Sequence, residues 1–279
     1  MKKSSTNSTL DFFTQNNDSE IQLDDSNLDN PSIVSSICWN VGNPSIDRAK
    51  KQAAWLITQN FHLLLLTECK KSEGCHFIEH YFQDFGYHVV FPKPENNEYG
   101  VMLISKFKPE VSGFSSRMSS LKERVISAKI SVSEKKIEII LTYIPSRNAT
   151  EERKTRKKQF LENLLHCFEN DPETHDRIFC GDFNILEPSH DPHYPFFEKW
   201  EYDFYSRLSD FNMKDIYRYF YPTEKEYSWV GRTNDGYRYD HFFVSKDLVP
   251  QIIECKYFHE PRLNRLSDHS AIICKLKCE

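Results

Sequence analysis

Several apolar runs in this chain end in side chains that can bind a cation, move a proton or hold a phosphate oxygen. They are Asn40, Glu68, Tyr143, Asp182 with Asn184, Asp240, and Asp268 with His269. The centre of the set is Ile178–Asn184, IFCGDFN, where a short apolar run reaches Gly181 and then presents Asp182 and Asn184. On a strand, alternate side chains share a face, so this spacing predicts that both project from one strand end while Phe183 turns into the packing. The same three residues read equally well as a strand running into an Asx turn. If the six ends share one sheet edge, they supply what hydrolysis of a phosphate ester needs. Oxygen ligands suit a hard divalent cation. An Asp and an amide can position and deprotonate water. An imidazole held by a second carboxylate can bind a phosphate oxygen.

The elements that must position these residues follow from periodicity. Strand patterns cover Ile33–Asn40, His62–Thr67, Gly86–Phe91, Val101–Ser105, Val125–Val132, Ile137–Ile144, Arg238–Val244, Ile252–Phe258 and Ser270–Leu276. Helical spacing follows a Ser45 cap and recurs at Glu73–Asp84. The clearest helix is Glu151–Asn170. It has acids in its first turn and Phe160, Leu161, Leu164, Leu165 and Phe168 as its apolar stripe. Arg153, Lys154, Arg156, Lys157 and Lys158 form a basic block at its start, read as a solvated face or as a phosphate-contacting edge. The aromatic-rich Phe196–Leu208 region reads mainly as core.

The chain has 279 residues and a formal net charge of −5, which argues against broad electrostatic binding of nucleic acid but leaves room for a basic rim beside a metal site. Residues 1–31 are rich in Ser, Asn and Asp and are expected to be a disordered acidic tail ahead of one domain over 32–279. Leu10–Phe13 in that tail reads as scattered apolar residues, as a loose contact with the protein's own body, or as a short peptide resembling those that dock on DNA sliding clamps, without their leading Gln. The eight cysteines form no CxxC pair, and several sit in apolar runs. This suits a reducing, cytoplasmic setting without disulfides. No apolar run is long enough to span a bilayer, so no membrane association is expected.

Taken together, Trp39-Asn40-Val41, Thr67-Glu68, GVMLISK over Gly100–Lys106, Thr142–Pro145, GDFN over Gly181–Asn184, DGYRYD over Asp235–Asp240 and Ser267-Asp268-His269 resemble the endonuclease/exonuclease/phosphatase superfamily, most closely its exonuclease III and AP-endonuclease branch. The resemblance implies an α/β, four-layer αββα sandwich of two packed sheets flanked by helices. It implies a monomeric Mg²⁺-dependent nuclease acting on DNA, with Mn²⁺ as an alternative ion, or a phosphoesterase for RNA, a protein–DNA adduct or a small or lipid phosphate. By that resemblance Glu68 is the principal metal ligand, with Asn40 nearby and Asp268 completing the metal side. Asp182 activates water or protonates the leaving group, and Asn184 orients water and phosphate. Asp240 orients His269 on the phosphate, and Tyr143 hydrogen-bonds it. Trp229, Arg147 and Arg238 are the candidate substrate-binding residues. Three departures stand out. Val41-Gly42-Asn43 lacks the acid expected after the first Asn, which favours one ion over two. His241 replaces a Tyr, and Tyr239 replaces a smaller apolar residue.

Overall fold

A computed structural model describes residues 31–171 and 176–278; the acidic tail and its Leu10–Phe13 stretch lie outside the described residues. In chain order the strands are β1 (Ile33–Asn40), β2 (Leu63–Cys69), β3 (His88–Val90), β4 (Gly100–Ser105), β5 (Glu110–Val111), β6 (Val125–Val132) and β7 (Lys135–Tyr143). They continue with β8 (Asp176–Asp182), β9 (Met213–Asp215), β10 (Trp229–Val230), β11 (Gly236–Tyr237), β12 (Asp240–Ser245), β13 (Ile252–Phe258) and β14 (Ala271–Lys277). The main helices are α1 (Ile46–Thr58), α2 (Glu73–Asp84), α3 (Glu151–Glu169) and α4 (Lys199–Arg207).

Two six-stranded sheets form, ordered β13-β14-β1-β2-β4-β3 and β5-β6-β7-β8-β12-β9, with β10 and β11 as a separate ribbon. Strict alternation along each central strand explains the layering. Cys38, Leu63, Leu65, Leu103, Ile139, Leu141, Cys180, Phe242 and Cys274 face the space between the sheets. Their neighbours Ile37, Trp39, Leu64, Leu66 and Met102 face α1 and α2, against Ala49, Ala53, Leu56, Ile78 and Phe82. Ile140, Phe179 and Phe243 face α3 and α4, against Phe160, Leu164 and Phe204. Strands covered on both faces read as continuous apolar runs, which is how β2 and β8 read. The architecture is the expected four-layer αββα sandwich.

Topology brings the polar ends together. β1 and β2 run parallel through α1, and β7 and β8 run parallel through α3. Asn40 therefore pairs with Thr67, beside Glu68, and Tyr143 pairs with Asp182, all at carboxyl ends. β12 is antiparallel to β8, so its first residue, Asp240, also lies opposite Asp182. β14 is antiparallel to β1, which places Asp268 and His269, just before its start, at the same edge. Close approach of β7 and β8 depends on Gly181. It has φ +146°, and a Cβ there would sit 1.8 Å from the Thr142 carbonyl oxygen. The expected bounds hold to within about a residue or two, the usual fraying of element ends.

All eight cysteines are free and buried, consistent with their reading as small core residues. Among the described residues no helix is long and apolar enough to cross a membrane.

Candidate active site

Glu68 leaves β2 at a bulge in the β2–β4 pairing, with φ +58°. A left-handed non-glycine residue at a bulge re-aims its side chain, and this one points its carboxylate toward the second sheet. Asn40 Nδ2 donates to Glu68 Oε2 and to Asp182 Oδ2, each at 2.8 Å. The Asn40 Oδ1 accepts from Gly42 N at 2.9 Å. Both amide hydrogens are therefore committed to carboxylates, and Asn40 meets Glu68 through nitrogen. The Tyr143 hydroxyl donates to the same Glu68 oxygen at 3.2 Å. Burial, then the charges of Glu68 and Asp182, hold its pKa well above the usual phenol value, so it stays a donor.

On the other side, His269 Nδ1 pairs with Asp240 Oδ2 at 2.7 Å, and its Nε2 lies 4.0 Å from Asp182 Oδ2. The second distance is too long for a hydrogen bond, so Nε2 remains available to a third group. Burial alone would lower the pKa of His269; the Asp240 charge and hydrogen bond more than reverse this and raise it. Burial, then the Asp240 carboxylate, raises Asp182, against the opposing pull of His269 and the Asn40 hydrogen bond. At this separation the carboxylate and the imidazole could exchange a proton only through a group placed between them.

Asp182 and Asn184 do not share a strand face as the alternation predicted. β8 stops at Asp182, and Asn184 sits in a left-handed turn at φ +50°, its N–H donating to Asp182 Oδ1 at 2.9 Å. The strand therefore ends in the Asx turn that the residues allowed. Phe183 is fully buried, as expected. Asn184 Nδ2 donates to the Ile144 carbonyl at 3.0 Å, which leaves the amide oxygen and one amide hydrogen for other partners.

Two of the three substrate-binding candidates are corrected by burial. Arg238 is fully buried and pairs with Glu187 and Asp215, each at 2.7 Å. The Arg147 side chain is 1% exposed and grips Glu201 at 2.6 Å. Guanidinium groups enclosed by carboxylates cannot reach a substrate. Trp229 is half-buried, and its Nε1 donates to Asp268 Oδ2 at 2.9 Å, with a backbone bridge to His269. Tyr237 and Tyr239 lie 5.4 and 6.1 Å from it, centre to centre. The basic block is also largely engaged: Arg156 pairs with Glu98, Lys154 with Glu198, and Lys157 is buried against Glu201.

Several positioning groups carry no sequence signal, Ser267 of the Ser267-Asp268-His269 motif excepted. Ser228 Oγ accepts from the backbone N–H groups of Tyr239 and Asp240 at 3.0 and 3.1 Å, and the Tyr257 hydroxyl donates to the Asp240 carbonyl at 2.5 Å. Ser267 Oγ donates to the Asn40 carbonyl and accepts from His269 N, tying β1 to the β14 end. Arg124 lies over the Tyr143 ring, 4.8 Å from its centre, and donates to the Tyr143 carbonyl. Serines and an arginine at loop ends look like any surface residue until partners across the fold are known.

The donor set fits a cation. Asp182, Asp240 and His269 offer atoms within 4.8 Å of one another. Asp240 Oδ1 is buried with no hydrogen-bond partner. Glu68 is half-buried, and Asp268 is exposed. Beside Gly42, where the expected acid is missing, the Arg48 guanidinium donates to the Gly42 carbonyl, and Asp268 Oδ1 lies 3.9 Å from where a Cβ would stand.

This geometry agrees with a family profile and with solved structures. The profile of the Endonuclease/Exonuclease/phosphatase family matches residues 37–269. An AP endonuclease from Archaeoglobus fulgidus superposes with a TM-score of 0.74 at 26% identity, covering 88% of this chain and all of that one. The 3′ phosphatase NExo from Neisseria, bound to a product DNA hairpin, gives 0.73 at 24% identity with the same coverage. The AP endonuclease LMAP from Leishmania major gives 0.70 at 19% identity, covering 89% of each chain. None of the curated proteins compared with the chain matches it. With its paired carboxylates, buffered imidazole and two-sheet scaffold, the chain belongs to the Endonuclease/Exonuclease/phosphatase family of hydrolases, on its exonuclease III and AP-endonuclease side.

Proposed function

We propose that the protein is a Mg²⁺-dependent hydrolase of DNA phosphodiester bonds. The observation that carries this reading is the Asn40 amide joining Glu68 to Asp182 within 4.0 Å of the Asp240-held His269. An oxygen-seeking cation is best served by Glu68, with Asp268 nearby; in the Asp182–Asp240–His269 group the free Asp240 Oδ1 offers an oxygen ligand, but the imidazole that Asp240 holds in its charged form does not offer a nitrogen. One ion is favoured, because Val41-Gly42-Asn43 lacks the acid that the family resemblance leads one to expect soon after Asn40. When bound, Mg²⁺ supplies Lewis-acid stabilisation of charge growing on the phosphate.

The chain's own groups do the rest. Asp182, anchored at both oxygens, takes a proton from the attacking water or returns one to the leaving oxygen. Asn184 orients water and phosphate through its uncommitted amide atoms. His269 donates from Nε2 to a non-bridging phosphate oxygen, and Asp240 keeps that imidazole protonated and aimed. Tyr143 donates from the opposite wall once its hydroxyl hydrogen turns from Glu68 to the phosphate. Trp229, with Tyr237 and Tyr239, offers aromatic faces to a sugar or base. A DNA substrate is supported by the AP-endonuclease and 3′-phosphatase relatives.

The test is turnover of end-labelled duplex, single-stranded and abasic DNA, RNA, and small phosphoesters with Mg²⁺ or Mn²⁺. DNA cleavage abolished by EDTA, by Glu68→Gln and by Asp182→Asn is the expected result. Turnover confined to RNA or a small phosphoester would remove DNA as the substrate.

A further inference from the structure

We propose that Lys157, Glu201 and Arg147 form a buried positioning unit that sets the catalytic rate by holding the Asn184 turn through its backbone carbonyl. The inference rests on the assignment of Asn184 above but not on which phosphoester is cleaved.

The unit joins three elements that share no strand. Lys157 projects from α3, Glu201 from α4, and Arg147 from the segment after β7. Lys157 Nζ donates to the Asn184 carbonyl and to Glu201 Oε1, both at 2.6 Å. Glu201 Oε2 accepts from Arg147 at 2.6 and 3.1 Å and from the Glu198 N–H at 2.9 Å. The Lys157 and Glu201 side chains are 1% and 0% exposed. Ionised groups are kept at such burial only when each is paired and hydrogen-bonded.

Asn184 needs this hold. It occupies a left-handed conformation that asparagine tolerates but does not strongly prefer. Its N–H is tied to Asp182 and its Nδ2 to Ile144. The Lys157 bond fixes the remaining backbone group, so the turn is clamped on three sides and the amide is aimed without freedom to swing. Two cations, Lys157 and Arg147, face the one Glu201 carboxylate within the unit.

A merely structural role would cost stability and leave the chemistry alone, so the decisive test is a double-mutant cycle on kcat. Lys157→Met keeps the length of the side chain and removes both hydrogen bonds. It is expected to lower kcat by about 10²-fold with little change in KM, since a small misplacement of a reacting group has that effect. Asn184→Ala should lower kcat by itself, and the double variant should lose no more than Asn184→Ala alone. Losses that multiply, an Asn184→Ala with full activity, or a Lys157→Met with a lowered Tm and an unchanged kcat would each overturn the proposal. If Lys157→Met fails to fold, Glu201→Gln replaces it in the same cycle and must show the same non-additivity. Whichever phosphoester the wild type turns over serves as substrate, so an error about DNA leaves this test intact.

Discussion

Asn40 Nδ2 lies 2.8 Å from Asp182 Oδ2, a hydrogen bond that crosses from one β-sheet to the other. The same nitrogen reaches Glu68 Oε2, so one neutral amide spaces two carboxylates that would otherwise repel. Asn40→Ala is expected to lower kcat by at least about 10²-fold, the scale of losing a preorganised donor. Asn40→Asp should be worse, because it inserts a third anion. Single-turnover rates at saturating Mg²⁺ test this, with circular dichroism confirming the fold; a wild-type rate for Asn40→Ala would show that the spacing is not needed.

His269 and Asp240 should behave as one unit. Asp240→Asn keeps the shape and removes the charge that holds the imidazolium, and it is expected to cost about 10²–10⁴-fold in kcat. His269→Ala should cost a similar amount. The double variant should be no slower than the slower single one. Independent, multiplying losses would mean the two act at different steps.

Cation binding can be read without turnover. Mg²⁺ at about 100 times its Kd should stabilise the fold by about 2.7 kcal/mol, seen as a rise in Tm. Glu68→Gln should abolish that rise, whereas Glu254→Gln, on the remote β13 strand, should not. An undiminished shift in Glu68→Gln would move the cation to the Asp182–Asp240–His269 group.

Acid stability should trace to Glu187. Burial alone would raise its pKa, but hydrogen bonding from Arg218 and the charge of Arg238 reverse this and hold it at about 2. A carboxylate with a lowered folded-state pKa contributes stability that is complete above about pH 4.5 and disappears as pH falls toward 2. Glu187→Gln should therefore lose on the order of 3 kcal/mol at pH 7, and its deficit should shrink between pH 4.5 and 2. Urea melts across that range give the comparison, and a deficit independent of pH would contradict the assignment.

Most of the fold was legible because burial on both faces leaves a plain signature. β1, β6, α2 and β13 lie where apolar periodicity puts them, and the residues ending those runs converge because both parallel pairs finish at one edge. What stayed hidden was partnership across long sequence separations. Arg238 lies beside Asp240 in the sequence and looks like a substrate ligand, yet its guanidinium turns into the core toward Glu187, 51 residues away. Arg147 hides its partner for the same reason, since Glu201 lies 54 residues away. Ser228 and Tyr257 left no trace, since a serine between aromatics and a tyrosine on a strand are ordinary until Asp240 is found between them. Asn184 reads as a strand residue because alternation cannot register a single residue turning left-handed.

The distance between Tyr143 and Asp182 is governed by an atom that is not there. Because position 181 carries no methyl, the main chains on either side close to a gap that an alanine would force open by more than an ångström. The phenol and the carboxylate ride on those main chains. Enlarging this one residue would spread the jaws of the cleft and leave every reacting side chain chemically unaltered. An inactive Gly181→Ala protein, still folded and still able to take up its cation, would be one whose aperture no longer matches a phosphate.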